Sequence, residues 1–342
     1  MAALEIGTYV EWHAEPGEEG ESAALLERQG FDIAIYPDSQ SLFPEAFVRM
    51  ALAVPRTSRI RLSPSVLNPV TRHPALAASA ALAVHRESGG RALVGIGRGD
   101  SALATIGEGH PAPLDRFTRF AADLRAYLRG GPVDCGDGVM GEIRWRPAGL
   151  PPIPVDIACS GERVIRAAVR LADRVSFAVG SAPERLEWAL GIARDELDRC
   201  GRSPSEVSFG AFLVVGAHAD RLRARQVVQG AVATHAVFPT LGRPGATPVG
   251  AEHGGIPGEA LAAAARASKV AGSAAPQLPE AFVDWFAVVG PPAEVTDRIR
   301  GVAALGLSHL YLVSHAPSTD RQLAQECRET LVAEVLPGLR TR

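Results

Sequence analysis

The stretch Arg91-Ala-Leu-Val-Gly-Ile-Gly-Arg-Gly-Asp-Ser-Ala-Leu-Ala-Thr-Ile-Gly107 decides how this chain is read. Ala92, Leu93, Val94 and Ile96 form a short apolar run of the kind that makes a strand buried on both faces. The run then breaks into a loop in which Gly95, Gly97 and Gly99 are interleaved with Ile96 and Arg98 and followed by Asp100. Glycine adopts positive φ and lets backbone approach a ligand closely. A strand whose C-terminal end opens into such a loop is where α/β barrels and doubly wound sheets hold ligands. An ordinary strand-to-helix turn would use the same residues. The spacing differs from the Gly-x-Gly-x-x-Gly of dinucleotide sites, and no Gly-Lys-Ser/Thr follows as a P-loop requires.

Outward from this stretch, strand-like runs and helical periodicity alternate along the whole chain. Strands are expected at 4–9, 32–36, 60–66, 92–97, 155–159, 174–179, 207–215 and 308–313. Helices are expected at 18–29, 45–54, 74–88, 114–129, 162–172, 183–200, 219–237, 292–305 and 320–336. Strict alternation predicts a parallel sheet with right-handed crossovers. Eight such units in 342 residues predict one α/β domain over 1–342, a closed (β/α)8 TIM barrel with insertions. Two Gly- and Pro-rich stretches interrupt the rhythm. Residues 130–152 form a small insertion with room for a hairpin at 135–145. Residues 239–279 follow the seventh strand and are expected to be a lid with a short Ala-rich helix at 259–268.

Bulk properties narrow the function classes. A net charge of −3 and the lack of a basic stripe give no electrostatic case for nucleic acid. The first residues lack the basic start and long apolar stretch of a signal peptide, and no apolar run reaches spanning length. Cys135, Cys159, Cys200 and Cys327 are widely spaced with no Cys-x-x-Cys, which predicts neither a disulfide framework nor a metal site and fits a cytoplasmic setting. Lys269 is the sole lysine, so Schiff-base chemistry would have to use it.

In a barrel the loops after the strands build the site. Tyr9, Glu11 and His13 follow strand one. Asp38, Ser39 and Gln40 follow strand two, and Asn68, Thr71, Arg72 and His73 strand three. Arg98, Asp100 and Ser101 follow strand four, Ser160 and Gly161 strand five, and Gly180 and Ser181 strand six. Ser160-Gly161 directly precedes a helix whose free N–H groups make an anion site, although Ser160 would equally serve as its cap. Gly180 and Ser181 would add backbone donors. Asp38 and Asp100 are the best acids. Burial at the end of a strand can raise Asp38 towards a general-acid value, while a salt bridge or a cap is the alternative for each. His73, just before a helix, is either a structural hydrogen-bonder or a donor to a ligand.

Five segments together resemble the luciferase-like flavin and deazaflavin oxidoreductases, in the branch similar to coenzyme F420-dependent methylenetetrahydromethanopterin reductase. They are Gly95-Ile-Gly-Arg-Gly-Asp-Ser-Ala-Leu103, Gly30-Phe-Asp-Ile-Ala-Ile-Tyr-Pro-Asp-Ser-Gln40, Ser58 through Pro74, Pro154 through Asp173, and Phe286-Ala-Val-Val-Gly-Pro-Pro-Ala-Glu-Val295. The resemblance implies a luciferase-like barrel that binds coenzyme F420 and moves a hydride between deazaflavin C5 and a small organic substrate. It implies the cofactor phosphate at Ser160 and Gly161 and a non-prolyl cis peptide at Ser65–Val66 behind the ring. Gly97, Gly99 and Asp100 would face that ring, Asn68 would meet its polar edge, and Arg72 and Arg98 would balance the negative tail. Tyr9, Glu11, His13 and Asp38 would line the substrate side, and the assembly would be a homodimer. An FMN-dependent monooxygenase shares the fold and phosphate site and is the first alternative. A binding or non-redox protein that kept the barrel is the second. Two positions depart from the pattern. Ser39 stands where many F420 members have a histidine after the second-strand Asp, and Tyr9 stands where the methanopterin reductases have an acid. Methylenetetrahydromethanopterin itself is therefore not the expected substrate.

Overall fold

The computed structural model describes residues 4–11, 17–108, 111–238, 256–274 and 276–340. Its strands are β1 (Glu5–Tyr9), β2 (Ile33–Tyr36), β3 (Arg61–Pro64), β4 (Val94–Ile96), β5 (Val133–Asp134), β6 (Met140–Gly141), β7 (Val155–Cys159), β8 (Arg174–Phe177), β9 (Ser208–Ala217), β10 (Val288–Gly290) and β11 (His309–Val313). The helices are α1 (Glu19–Arg28), α2 (Ala46–Ala53), α3 (Pro74–Glu87), α4 (Ser101–Ala104), α5 (Leu114–Arg129), α6 (Glu162–Leu171), α7 (Pro183–Cys200), α8 (Arg221–Ala236), α9 (Gly258–Ser268), α10 (Glu280–Phe286), α11 (Pro292–Ala304), α12 (Arg321–Thr330) and α13 (Leu336–Arg340). Eight parallel strands run in the order β3-β2-β1-β11-β9-β8-β7-β4. Parallel bridges Leu62–Ala92 and Leu67–Ile96 join β3 to β4 and close the (β/α)8 barrel.

Local chemistry sets the boundaries. Pro183 sits in the first turn of α7, and Gly201 ends it with φ +67°, a left-handed conformation that suits glycine. Asp220 and Asp320 cap α8 and α12 by accepting from Leu222 N and Leu323 N. Several features differ from the expectation, among them strand six, which stops at Phe177 rather than at residue 179. Strand three stops at Pro64 instead of running through residue 66. Phe286 ends α10, and the Val-Val-Gly that follows pairs with the far end of β9 as β10. The last helical segment reaches Arg340 through a π-helical stretch at Leu331–Val335. Within 130–152, β5 and β6 pair antiparallel. In the stretch 239–279, α9 covers the region of the expected Ala-rich helix, while 239–255 and 275 lie outside the described residues.

Outward-facing strand residues such as Ile6, Ala34, Val94, Ile157, Val175, Leu310 and Leu312 pack with the surrounding helices into the larger apolar core. The end of the barrel where the strands begin is filled instead by a polar network drawn from several strands. Asp156 accepts from Ser176 Oγ at 2.7 Å and from Tyr311 Oη at 2.5 Å. The Ser176 hydroxyl also meets His309 Nε2 at 2.9 Å. Arg174 pairs with Glu5, and Glu5 with Arg61 at 3.3 Å. Gly210 makes room for His309, because a Cβ there would lie 2.1 Å from the imidazole. Among the described residues no helix is long and apolar enough to cross a membrane.

This network makes folding pH-dependent. Burial, helped by Arg174 and Arg61, holds the His309 imidazole well below its ordinary value, so it is neutral in the folded protein. Unfolded, it titrates near 6.5. Between those two values the unfolded chain binds more protons, so this contribution is complete above about pH 6.5 and is lost as pH falls. We expect the melting temperature to decline between about pH 6.5 and 5, with a slope from this group of up to about 1.4 kcal/mol per pH unit. His309→Gln should make that limb shallower in a calorimetric pH series. An unchanged slope would place the proton uptake elsewhere.

Candidate functional site

Where the strands end, the loops enclose a cavity of about 890 Å³, within the usual range for cofactor and ligand sites. Its floor is made where β3 meets β4. Between the two bridges the chain through the end of β3 advances from 62 to 67 while the chain leading through β4 advances from 92 to 96, so one extra residue bulges on the β3 side. The Ser65–Val66 peptide inside this bulge is cis, and both residues line the cavity. The bulge explains two of the glycines. A Cβ on Gly95 would lie 2.5 Å from Ser65 Oγ, and one on Gly97 3.0 Å from Val66 Cγ2. Gly99, at φ +86°, curves the loop over Asn68 and Leu103.

The wall built by β4 and β7 carries positive charge. Arg98 donates Nε to the Ala112 carbonyl at 2.7 Å and has no acidic partner among the described residues. Burial and the neighbouring Arg163 both depress its titration, so the two guanidinium groups lie close together. Gly161, rather than Ser160, is the N-cap of α6, and no side chain caps that helix. Val164 N and Ile165 N reach the Gly161 carbonyl, leaving the N–H groups of Glu162 and Arg163 outside the helical ladder. Ser160, Gly161, Glu162 and Arg163 all line the cavity. A Cβ added to Gly161 would meet nothing within 4 Å. Uncapped N–H groups, a helix dipole and two guanidinium groups with no acidic partner among the described residues give this wall the chemistry to hold an anion such as a phosphate.

The acids have other duties. Asp38 lines the cavity, but both its oxygens accept from Arg72, at 2.9 and 2.5 Å. It is the acceptor of a bidentate ion pair rather than a free general acid. Arg72 also pairs with Glu45 and lies over the Phe47 ring, so it is not on the cavity wall expected of a tail-binding group. Glu11 lines the cavity with its carboxylate on Arg328. Asp100 pairs with Lys269, its Oδ2 3.2 Å from Nζ. His13 lies outside the described residues. Tyr9 reaches the cavity with its phenol pushed above its ordinary value by burial, and its hydroxyl has no hydrogen-bond partner among the described residues.

Several other expected roles change. Asn68 is fully buried and folds its own loop, accepting from Val70 N and Thr71 N and donating to Thr71 Oγ1. His73 caps α3 by accepting from Ala75 N, and it faces a separate crevice beside Arg116 and Tyr127. Ser181 donates both its N–H and its hydroxyl to the Phe286 carbonyl, and the Phe286 ring fills the space beside Gly180. Neither Gly180 nor Ser181 lines the cavity, because both tie the end of β8 to α10. Sequence reading missed Arg163, Phe212, His235 and Lys269 as cavity residues. Arg163, in the first turn of α6, was within reach of the anion-site argument. His235 ends a helix that carries no local signal of function.

Comparisons with known proteins agree with this architecture. The sequence model of the family described as luciferase-like monooxygenase matches residues 4–309. A 5,10-methylenetetrahydromethanopterin reductase of Archaeoglobus fulgidus is 28% identical over 84% of this chain and 86% of its own. An F420-dependent glucose-6-phosphate dehydrogenase of Nakamurella multipartita is 27% identical over 90% of this chain and 88% of its own. Among solved structures, the coenzyme F420-dependent tetrahydromethanopterin reductase of Methanopyrus kandleri superposes with a TM-score of 0.76 at 23% identity, covering 99% of this chain and all of that one.

The open space at Gly161 makes the anion site testable without disturbing the fold. Gly161→Asp would set a carboxylate at the uncapped start of α6, where it repels a bound phosphate. Titration with a phosphate-bearing ligand, coenzyme F420 or FMN, should show affinity reduced well beyond tenfold, with the circular dichroism spectrum unchanged. Retained affinity in the folded variant would move the anion elsewhere.

Proposed function

The chain belongs to the luciferase-like monooxygenase family, and from that membership we propose that it is an oxidoreductase that binds coenzyme F420 and acts on a small organic substrate. The observation that carries this reading is the charge on the β4–β7 wall: Arg98, Arg163 and the bare N–H groups of α6 match a cofactor whose tail is anionic. The F420-dependent relative from Nakamurella supports the deazaflavin over other phosphate-bearing groups. In this reading the phosphate rests on the N–H groups of Glu162 and Arg163 and on Ser160, while Ser65, Val66, Gly97 and Gly99 form the bed for the ring. When bound, the deazaflavin gives or takes a hydride at C5. The protein shapes the pocket, excludes water and supplies hydrogen-bonding groups. Of the groups expected to handle protons, Tyr9 keeps an uncommitted hydroxyl, whereas Asp38 and Glu11 are spent on arginines. In this reading the described part of the insertion, residues 256–274, borders the mouth, with Lys269 reaching Asp100.

The family's description as monooxygenases favours one other reading, an FMN-dependent oxygenase in the same barrel. Fluorescence titration separates the two. Coenzyme F420 should bind more tightly than FMN, and the protein with reduced coenzyme F420 should consume little oxygen. Preference for FMN together with oxygen uptake would establish the alternative, and affinity for neither would leave a barrel without redox function.

A homodimer completes the proposal. Val48 and Leu52, one turn apart on α2, and Leu76 on α3 are each at least half exposed, an apolar set that a second copy would cover. Sedimentation should show a dimer, and Val48→Glu combined with Leu52→Glu should shift it to monomer.

A further inference from the structure

The cavity wall contributed by β9 and α8 differs in character from the anion site. His235, in the last turn of α8, is 8% exposed and lines the cavity. Its ring lies between Phe238, 5.3 Å away edge-on, and Phe212, 6.2 Å away. Neither ring nitrogen has a hydrogen-bond partner among the described residues. Neither nitrogen is sealed from the cavity, so a bound group can meet them. Burial and the nearby Lys269 ammonium push the imidazole down to about 4, so it stands neutral, with one N–H donor and one acceptor nitrogen.

The charges around it are already matched. Lys269 is held by Asp100, and Arg328 by Glu11. An anion brought to this wall would lose its water and find no unpaired cation among its described residues, which penalises it. An uncharged oxygen on an apolar body meets no such penalty, and the Phe212 and Phe238 rings offer it a surface.

We propose that His235 positions the substrate, hydrogen-bonding one oxygen of an uncharged carbonyl or alcohol whose apolar body packs against Phe212 and Phe238. The inference deepens the oxidoreductase reading by naming its substrate class and rests on that reading for the identity of the bound molecule as substrate. His235 is a positioning and specificity residue, and no proton transfer is assigned to it.

The test measures binding and needs no turnover. Acetophenone and benzoate, nearly isosteric and differing in charge, are titrated by calorimetry into the protein, with a parallel fluorescence titration of coenzyme F420. We expect acetophenone to bind more tightly than benzoate. His235→Phe keeps an aromatic ring between its neighbours but removes the hydrogen bond, and should weaken acetophenone roughly three- to tenfold, the scale of one net hydrogen bond. His235→Gln restores a donor and should recover part of the loss. Affinity for coenzyme F420 should change less than twofold in both variants. Benzoate that binds more tightly than acetophenone and is weakened by His235→Phe, or acetophenone unaffected by His235→Phe, would overturn the proposal. A large loss of coenzyme F420 affinity in His235→Phe would also overturn it, by assigning the histidine to the cofactor. Failure of the wild-type protein to bind coenzyme F420 would sink the cofactor reading on a separate measurement, leaving the acetophenone comparison intact.

Discussion

A side chain cannot stand on β4 where the bulge of β3 presses against it. Ser65 and Val66 occupy the space that a Cβ on Gly95 or Gly97 would need, and this steric exclusion organises the cavity. The extra residue on β3 pushes Ser65 and Val66 up to form the floor, and the bare backbone of β4 lets them sit there without opening the barrel. From that point the chain turns through Gly99 and delivers Arg98 and Asp100 to the cavity in successive directions. The glycines that invite a ligand-contact reading are thus first a packing requirement between two strands. Their exposure to the cavity follows from it.

A second constraint is the allocation of charge. At the base of the barrel, Asp156, Arg174, Glu5 and Arg61 neutralise one another with Ser176, Tyr311 and His309 bridging between them. At the mouth, Asp38, Glu11 and Asp100 each hold a cation. Buried charges persist when they are paired, so the informative groups are those left over. Arg98, Arg163 and the start of α6 give one wall a positive surplus. His235 gives another a polar group with no charge and no partner. One cavity therefore offers two chemically distinct environments.

Residues Arg91 to Gly107, the alternation of strand and helix, and the polar residues after each strand were enough to read the barrel and the rim on which its site lies. Those signals are local: apolar period, turn glycines and helix caps act over a few residues. The same locality makes Ser160-Gly161 legible as a helix start at the cavity. What each side chain does there was settled by partners distant in sequence. Arg72 takes both oxygens of Asp38 from 34 positions away, and Lys269 takes Asp100 from 169 positions away. Arg328 takes Glu11 from the opposite end of the chain, and the Phe286 carbonyl takes both donors of Ser181. His235 and Phe212 come together only because α8 folds back over the end of β9. Secondary structure is fixed by neighbours along the chain, whereas the state of a titratable group is fixed by whatever charge and volume the folded barrel brings against it. The sequence by itself determined the barrel and the location of its cavity, and only the tertiary structure decided which acids were committed, which cations remained, and that one histidine was left without a partner among the described residues.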